Sequence, residues 1–192
     1  NSLLVLLADL YRGNKQYDKA IKFYTLLIKK QHISNDQLWR IYYMRGICYE
    51  RSNKWRKAEN DFLQALKTEP EQPQVLNYLA YGWIEKNFYL EKSIGMLEVA
   101  INKNPENHYI LDSLAWAYYK KHNLSKASKI MEKAIEIAPG EAISLDHLGD
   151  IYFALGRKRE AYFMWIQALD LAEPVDNISE SVQMKLDKYN AR

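Results

Sequence analysis

Two aspartates, Asp112 and Asp146, each precede a small residue, Ala115 or Gly149, by three positions. Paired carboxylates at matched places are equipment for general acid–base work. The rest of a catalytic constellation does not accompany them. His32, His108, His122 and His147 share no metal-ligand spacing, and HExxH is absent. The seven glycines are scattered, so neither GxxxxGK[ST] nor GxGxxG offers a phosphate cradle. No GxSxG elbow exposes a serine nucleophile. Cys48 lies beside Tyr49 in a helical pattern, where a thiol packs as a small apolar group. Two carboxylates on a helical array then form a solvated or peptide-facing surface. These residues imply a protein that is not an enzyme and uses no cofactor or metal.

Helices must position whatever function remains. In ILDSLAWAYYKKHNLSKA, residues 110–127, Leu111, Leu114, Ala115 and Tyr118 follow i, i+3, i+4, i+7 and share one helix face. Trp116 and Tyr119 fall off that face. The whole chain of 192 residues is 48% hydrophobic and 27% charged, normal for a folded domain. Only 7 glycines and 5 prolines interrupt it, which argues for helices joined by short turns. A net charge of +3 is too small to imply nucleic-acid binding. A single cysteine excludes an internal disulfide framework. The longest apolar run, residues 3–8, is far short of a membrane span. The chain starts at Asn1 without a Met, so targeting is not readable. Both a cytoplasmic and a cell-envelope setting fit the soluble composition.

The same pattern recurs five times. Ala8, Gly46, Ala80, Ala115 and Gly149 align, at intervals of 38, 34, 35 and 34 residues. Three residues later stand Tyr11, Tyr49, Trp83, Tyr118 and Tyr152. Further on come Ala20, Ala58, Ser93, Ala127 and Ala161, then Tyr24, Phe62, Leu97, Met131 and Trp165. A fixed period in this range means a stacked array. The small residues sit where two helices approach closely, and the large ones fill the space beside that approach. Pro70, Pro105, Pro139 and Pro174 stop the second helix of their repeats. The first repeat has no such proline, and QHISNDQ lengthens its exit by about four residues, so a bend is expected around residues 29–45. Arg45 stands where a leucine is usual and Ser93 where an alanine is.

Leucine, small residue, tyrosine, then Ala-x-x-x-aromatic, then Ala and Pro: this pattern resembles the tetratricopeptide repeat over residues 1–174. NYLAYGWIEKNFYLEKSIGMLEVA and YILDSLAWAYYKK also look like segments of long bacterial proteins of this family. The resemblance implies an all-α, right-handed solenoid of five helix-turn-helix hairpins. The repeats fall at about 1–34, 39–72, 73–107, 108–141 and 142–174. NISESVQMKLDKYN then reads as a capping helix at about 177–190, with Asn177 and Glu180 at its start and Ile178, Val182, Leu186 and Tyr189 in one stripe. No cap precedes Leu3, Leu4, Leu6 and Leu7. That end is expected to meet upstream repeats or another chain.

Positions 2, 5, 9 and 12 of each first helix form a second stripe, and in this family that stripe lines a concave peptide-binding groove. Carried over position by position, it gives Tyr43, Asn77, Tyr81, Tyr109, Asp112, Trp116, Tyr119, Asp146, Asp150 and Phe153 as candidate partner-binding residues. Its centre is aromatic and its C-terminal end acidic, so the implied partner is an apolar peptide or helix with basic residues. The family's two-carboxylate clamp needs Lys and Asn or Arg, whereas Val5, Asp9, Tyr43 and Ile47 stand at those places. Trp116 and Tyr119 equally suit packing between repeats, and the last helix could fold back into the groove. Hairpin turns are basic (Lys54, Arg56, Lys57) and inter-repeat turns acidic (Glu69, Glu71), as bases at helix ends and acids at helix starts would produce. No base-stacking aromatics accompany the basic edge. The expected function is a non-catalytic scaffold holding a partner segment. The alternative is a structural spacer or self-assembly module of a longer repeat protein.

Overall fold

The computed structural model describes residues 2–30 and 33–190, and among them there is no strand. The helices in chain order are α1 (Ser2–Gly13), α2 (Tyr17–Ile28), α3 (Asn35–Arg51), α4 (Trp55–Thr68), α5 (Pro73–Glu85), α6 (Leu90–Lys103), α7 (His108–Lys120), α8 (Leu124–Ile137), α9 (Ala142–Ala154), α10 (Lys158–Leu171) and α11 (Ser179–Asn190). The all-α class is as expected. Residues 31 and 32, within the expected bend, lie outside the described residues.

The turns that join helices show a regularity that residue types conceal. Lys15, Asn53, Asn87, His122 and Gly156 each stand seven residues after the aligned small residue. All five have φ between 56° and 80°. The next N–H then donates back to the carbonyl of the column aromatic: Gln16 to Tyr11, Lys54 to Tyr49, Phe88 to Trp83, Asn123 to Tyr118 and Arg157 to Tyr152, at 2.8–2.9 Å. This is the six-to-one closure of a helix end, and it needs one left-handed residue. Three of the other helix ends obey proline. Three helices stop two residues before Pro70, Pro105 and Pro139. Their caps Glu69, Asn104 and Ala138 have φ of −140°, −140° and −135°, the extended region that a following proline enforces.

Two compact units divide the chain, Asn1–Leu79 and Ala80–Arg192, with the division inside α5. The first unit holds a core of Ala8, Ala20, Tyr24, Leu27, Ile41 and Cys48. Burial pushes the Cys48 thiol up to about 11, so it stays protonated and inert at neutral pH. Gly46 lies against Phe62, whose ring would sit 2.6 Å from an added Cβ. Arg45 has a partner that explains its presence. Its guanidinium donates to both carboxylate oxygens of buried Asp61 at 2.7 and 2.8 Å, and to Thr25 Oγ1 at 2.9 Å. A fork-to-fork pair of this kind satisfies two charges that neither residue could bury alone.

In the second unit, α7 and α9 bury residues all round. Nine are buried on each helix, so polar side chains there must be satisfied within the protein. Small residues again face large ones: Ala127, Met131 and Ala134 on α8, and Ala161, Trp165 and Ala168 on α10. Gly149 faces the Trp165 ring so closely that an added Cβ would clash with it. In both units a glycine at the first small column is matched to a bulky ring at the later large column.

One face behaves differently at the start of the chain. Three residues of α3 that occupy repeat positions 3, 6 and 10 are Ile41, Met44 and Cys48, and they pack into the first unit's core. Their counterparts in α9, Ser144, His147 and Ile151, are buried too. On α1 the same positions carry Leu3, Leu6 and Leu10, which are 68%, 56% and 53% exposed.

Candidate functional site

Seven of the ten candidate residues come together in the second unit, on α7 and α9. Tyr109 is the exposed one, at 57%, with its hydroxyl donating to Glu141 at 3.4 Å and its ring on His108. Asp112, Trp116, Asp146 and their neighbours are buried instead. Trp116 is 8% exposed and sits in a three-ring stack. Tyr119 lies 4.7 Å away at 16°, and His147 lies 4.1 Å away at 15°. Its indole Nε1 donates to Glu85 Oε1 at 2.8 Å. Phe153 packs at 5.5 Å on Trp165.

The acids of the stripe are paired within the chain. His147 Nδ1 lies 3.0 and 3.2 Å from the two carboxylate oxygens of Asp112. Lys185, on α11, donates to Asp146 Oδ1 at 2.6 Å and to Asp150 Oδ2 at 2.9 Å. Asp150 also accepts from Trp165 Nε1 at 3.2 Å. Burial opposes the charge on His147, but Asp112, with Asp146 and Asp150 behind it, outweighs that and raises its pKa. Burial likewise opposes charge on Lys185, and Asp150 and Asp146 outweigh it. The acidic end expected to attract a basic ligand is therefore already neutralised by α9 and α11.

These pairs follow one rule. Within each unit, position 5 of one first helix faces position 6 of the next. Val5 and Met44 pack on the same core, Tyr43 meets Tyr78 edge-on at 5.5 Å, Asp112 meets His147, and Asp146 meets Lys185. The last pair places α11 in register as a further first helix. Tyr43, in the first unit, is thus buried core. Asn77, in that unit, is half-buried, and its Oδ1 has no hydrogen-bond partner. Tyr81, in the second unit, is half-buried. Reading the stripe by position missed His147, Lys185 and Glu85. The signal for the first two was a complementary residue one position on in the following repeat.

The turn cations are also partly spent. Lys54 pairs with Asp18 at 2.8 Å, Lys121 with Glu91 at 2.8 Å, and Arg157 with Glu132 at 3.4 Å. Among the described residues, no helix is long and apolar enough to cross a membrane.

Paired helices with alternating small and large columns, closed by left-handed turns, define a helical-repeat protein. Tetratricopeptide repeat models match residues 39–72, and residues 2–29 and 109–141. The chain is a tetratricopeptide-repeat protein. It is 24% identical over 155 residues to the TPR repeat-containing protein PA4667 of Pseudomonas aeruginosa, covering 71% of this chain and 26% of that one. The chain spans about a quarter to a third of the curated relatives it matches. Among solved structures, the thermophilic TPR protein TTC0263 of Thermus thermophilus superposes with a TM-score of 0.75 at 16% identity, covering 100% of this chain and 99% of that one. YrrB, described as a TPR protein with an unusual peptide-binding site, superposes with a TM-score of 0.67 at 18% identity, covering 95% and 91%.

Proposed function

We propose that the α7–α9 face of the second unit docks an apolar segment of a partner protein, without catalysis. The observation that carries this reading is the contrast along one stripe. Tyr109 stands exposed beside a wall held rigid by the Trp116 stack and the Asp112–His147 pair. A fixed wall with an exposed aromatic at its edge binds with little ordering cost. Ile143 adds exposed apolar area in the same stripe, and Tyr119 lines an open hollow of about 490 Å³ with Asn87, Lys120 and His122. Trp116 supports this surface from behind. The peptide-binding site named for YrrB, a protein of the same fold, is consistent with such a use. The domain reads as one tetratricopeptide array, with repeats at the boundaries that the period defines.

The test is a photo-crosslinking residue placed at Tyr109, at Ile143 or at Phe163. Phe163 is about as exposed as Tyr109 and more so than Ile143, but lies on α10, away from the stripe. A protein caught from Tyr109 and Ile143 and not from Phe163 supports the reading. Equal capture from all three overturns it. A second reading, assembly with repeats of the same kind, is favoured by the exposed Leu3, Leu6 and Leu10 of α1.

A further inference from the structure

The seat beneath α11 is a helix-binding site with a demanding chemistry. Among the described residues of α11, Val182 and Leu186 alone are buried, and Tyr189 stacks on Tyr162 at 4.9 Å. Between them Lys185 reaches Asp146 and Asp150. Two carboxylates there face one ammonium, and Asp146 is nearly enclosed. Removing the ammonium leaves uncompensated charge in a poorly solvated place, which is strongly unfavourable. Any helix that takes this seat must therefore bring a cation between its apolar residues.

The resident helix is held by little. α9 buries nine residues, whereas α11 buries two among its described side chains. It follows a non-helical segment, 172–178, in which Asn177 adopts φ 55°. Segments with few buried apolar contacts open at low cost compared with the core. We propose that α11 is an exchangeable occupant, and that the site takes an amphipathic helix of a partner protein patterned apolar-x-x-Lys-apolar-x-x-aromatic. This rests on the reading of the second unit as a docking domain and names the partner's chemistry. The intact chain competes with its partner through α11, whose tether gives it a millimolar effective concentration.

Two measurements on the full chain decide the matter. In hydrogen exchange, amides of α11 should open at least about a hundred-fold more readily than those of α9. Equal protection overturns exchangeability. The binding probe is a labelled peptide of residues 177–190, read by fluorescence anisotropy. It should bind a Val182→Asp, Leu186→Asp chain at least about ten-fold more tightly than the parent chain. A probe carrying Lys185→Met should lose that binding, and one carrying Lys185→Arg should keep it. If the loosened chain keeps its helicity and binds no probe, or binds the Met probe equally, the proposal falls. If the parent instead pairs with itself in a Lys185-dependent way, the occupant is a second copy and not a partner. Crosslinking from Tyr109 that persists while the probe fails would leave the docking surface standing and remove only this occupant.

Discussion

Trp116 and Tyr109 lie in one stripe yet do different work. Truncating a buried tryptophan costs about 3–5 kcal/mol. Trp116→Ala should therefore lower the denaturation midpoint sharply, while Tyr109→Ala should stay within about 0.5 kcal/mol of the parent. Glycine substitutions separate in sign as well. Gly149→Ala gains up to about 1 kcal/mol of helix propensity but forces the buried Trp165 ring to move, at about 1–3 kcal/mol, so it should destabilise. Gly95→Ala meets nothing within 4 Å and should stabilise. His147 carries a pH signature. Its folded pKa is raised, so its stabilisation is complete below about 6.5 and fades as pH rises through the folded value. Between about pH 6 and pH 9 the parent should lose more stability than His147→Gln, measured by urea unfolding. The column of small residues was legible in the sequence because packing tolerates so few side chains there. The burial of Trp116 was not. Its stripe looks alike whether it faces solvent or the next repeat, and only the His147 ring decides.

At the level of elements, the helices and their stops were legible from period and proline. The left-handed turn column was not, because Lys, Asn, Asn, His and Gly share no obvious chemistry. They share a backbone conformation, which asparagine tolerates and which Lys15 and His122 adopt at a cost of about 1 kcal/mol or more. His122→Gly should accordingly raise the melting temperature, by up to about 1 kcal/mol in stability, and Gly156→Ala should lower it. Thermal unfolding of the two variants checks both signs. Arg45 shows the same limit in another form. Read alone it breaks the leucine pattern of its column; read with Asp61 and Thr25 it satisfies a buried group from the neighbouring helices.

For the whole molecule, α1 presents to solvent the face that α3 and α9 bury. An apolar stripe of three leucines favours association. Replacing Leu6 and Leu10 with Glu should leave stability nearly unchanged, since both are exposed. It should also reduce concentration-dependent mass growth in light scattering. The position 5 to position 6 pairing has a consequence of its own. Tyrosine meets tyrosine, aspartate meets histidine, and aspartate meets lysine, each across a different junction. Shuffled, the modules would no longer match. Asp112 set before a tyrosine, or Lys185 set after a valine, would bury a charge with no counterpart. The repeats are alike in outline but keyed in order, so each module fits only the neighbour it has and their succession along the chain is not free to be permuted.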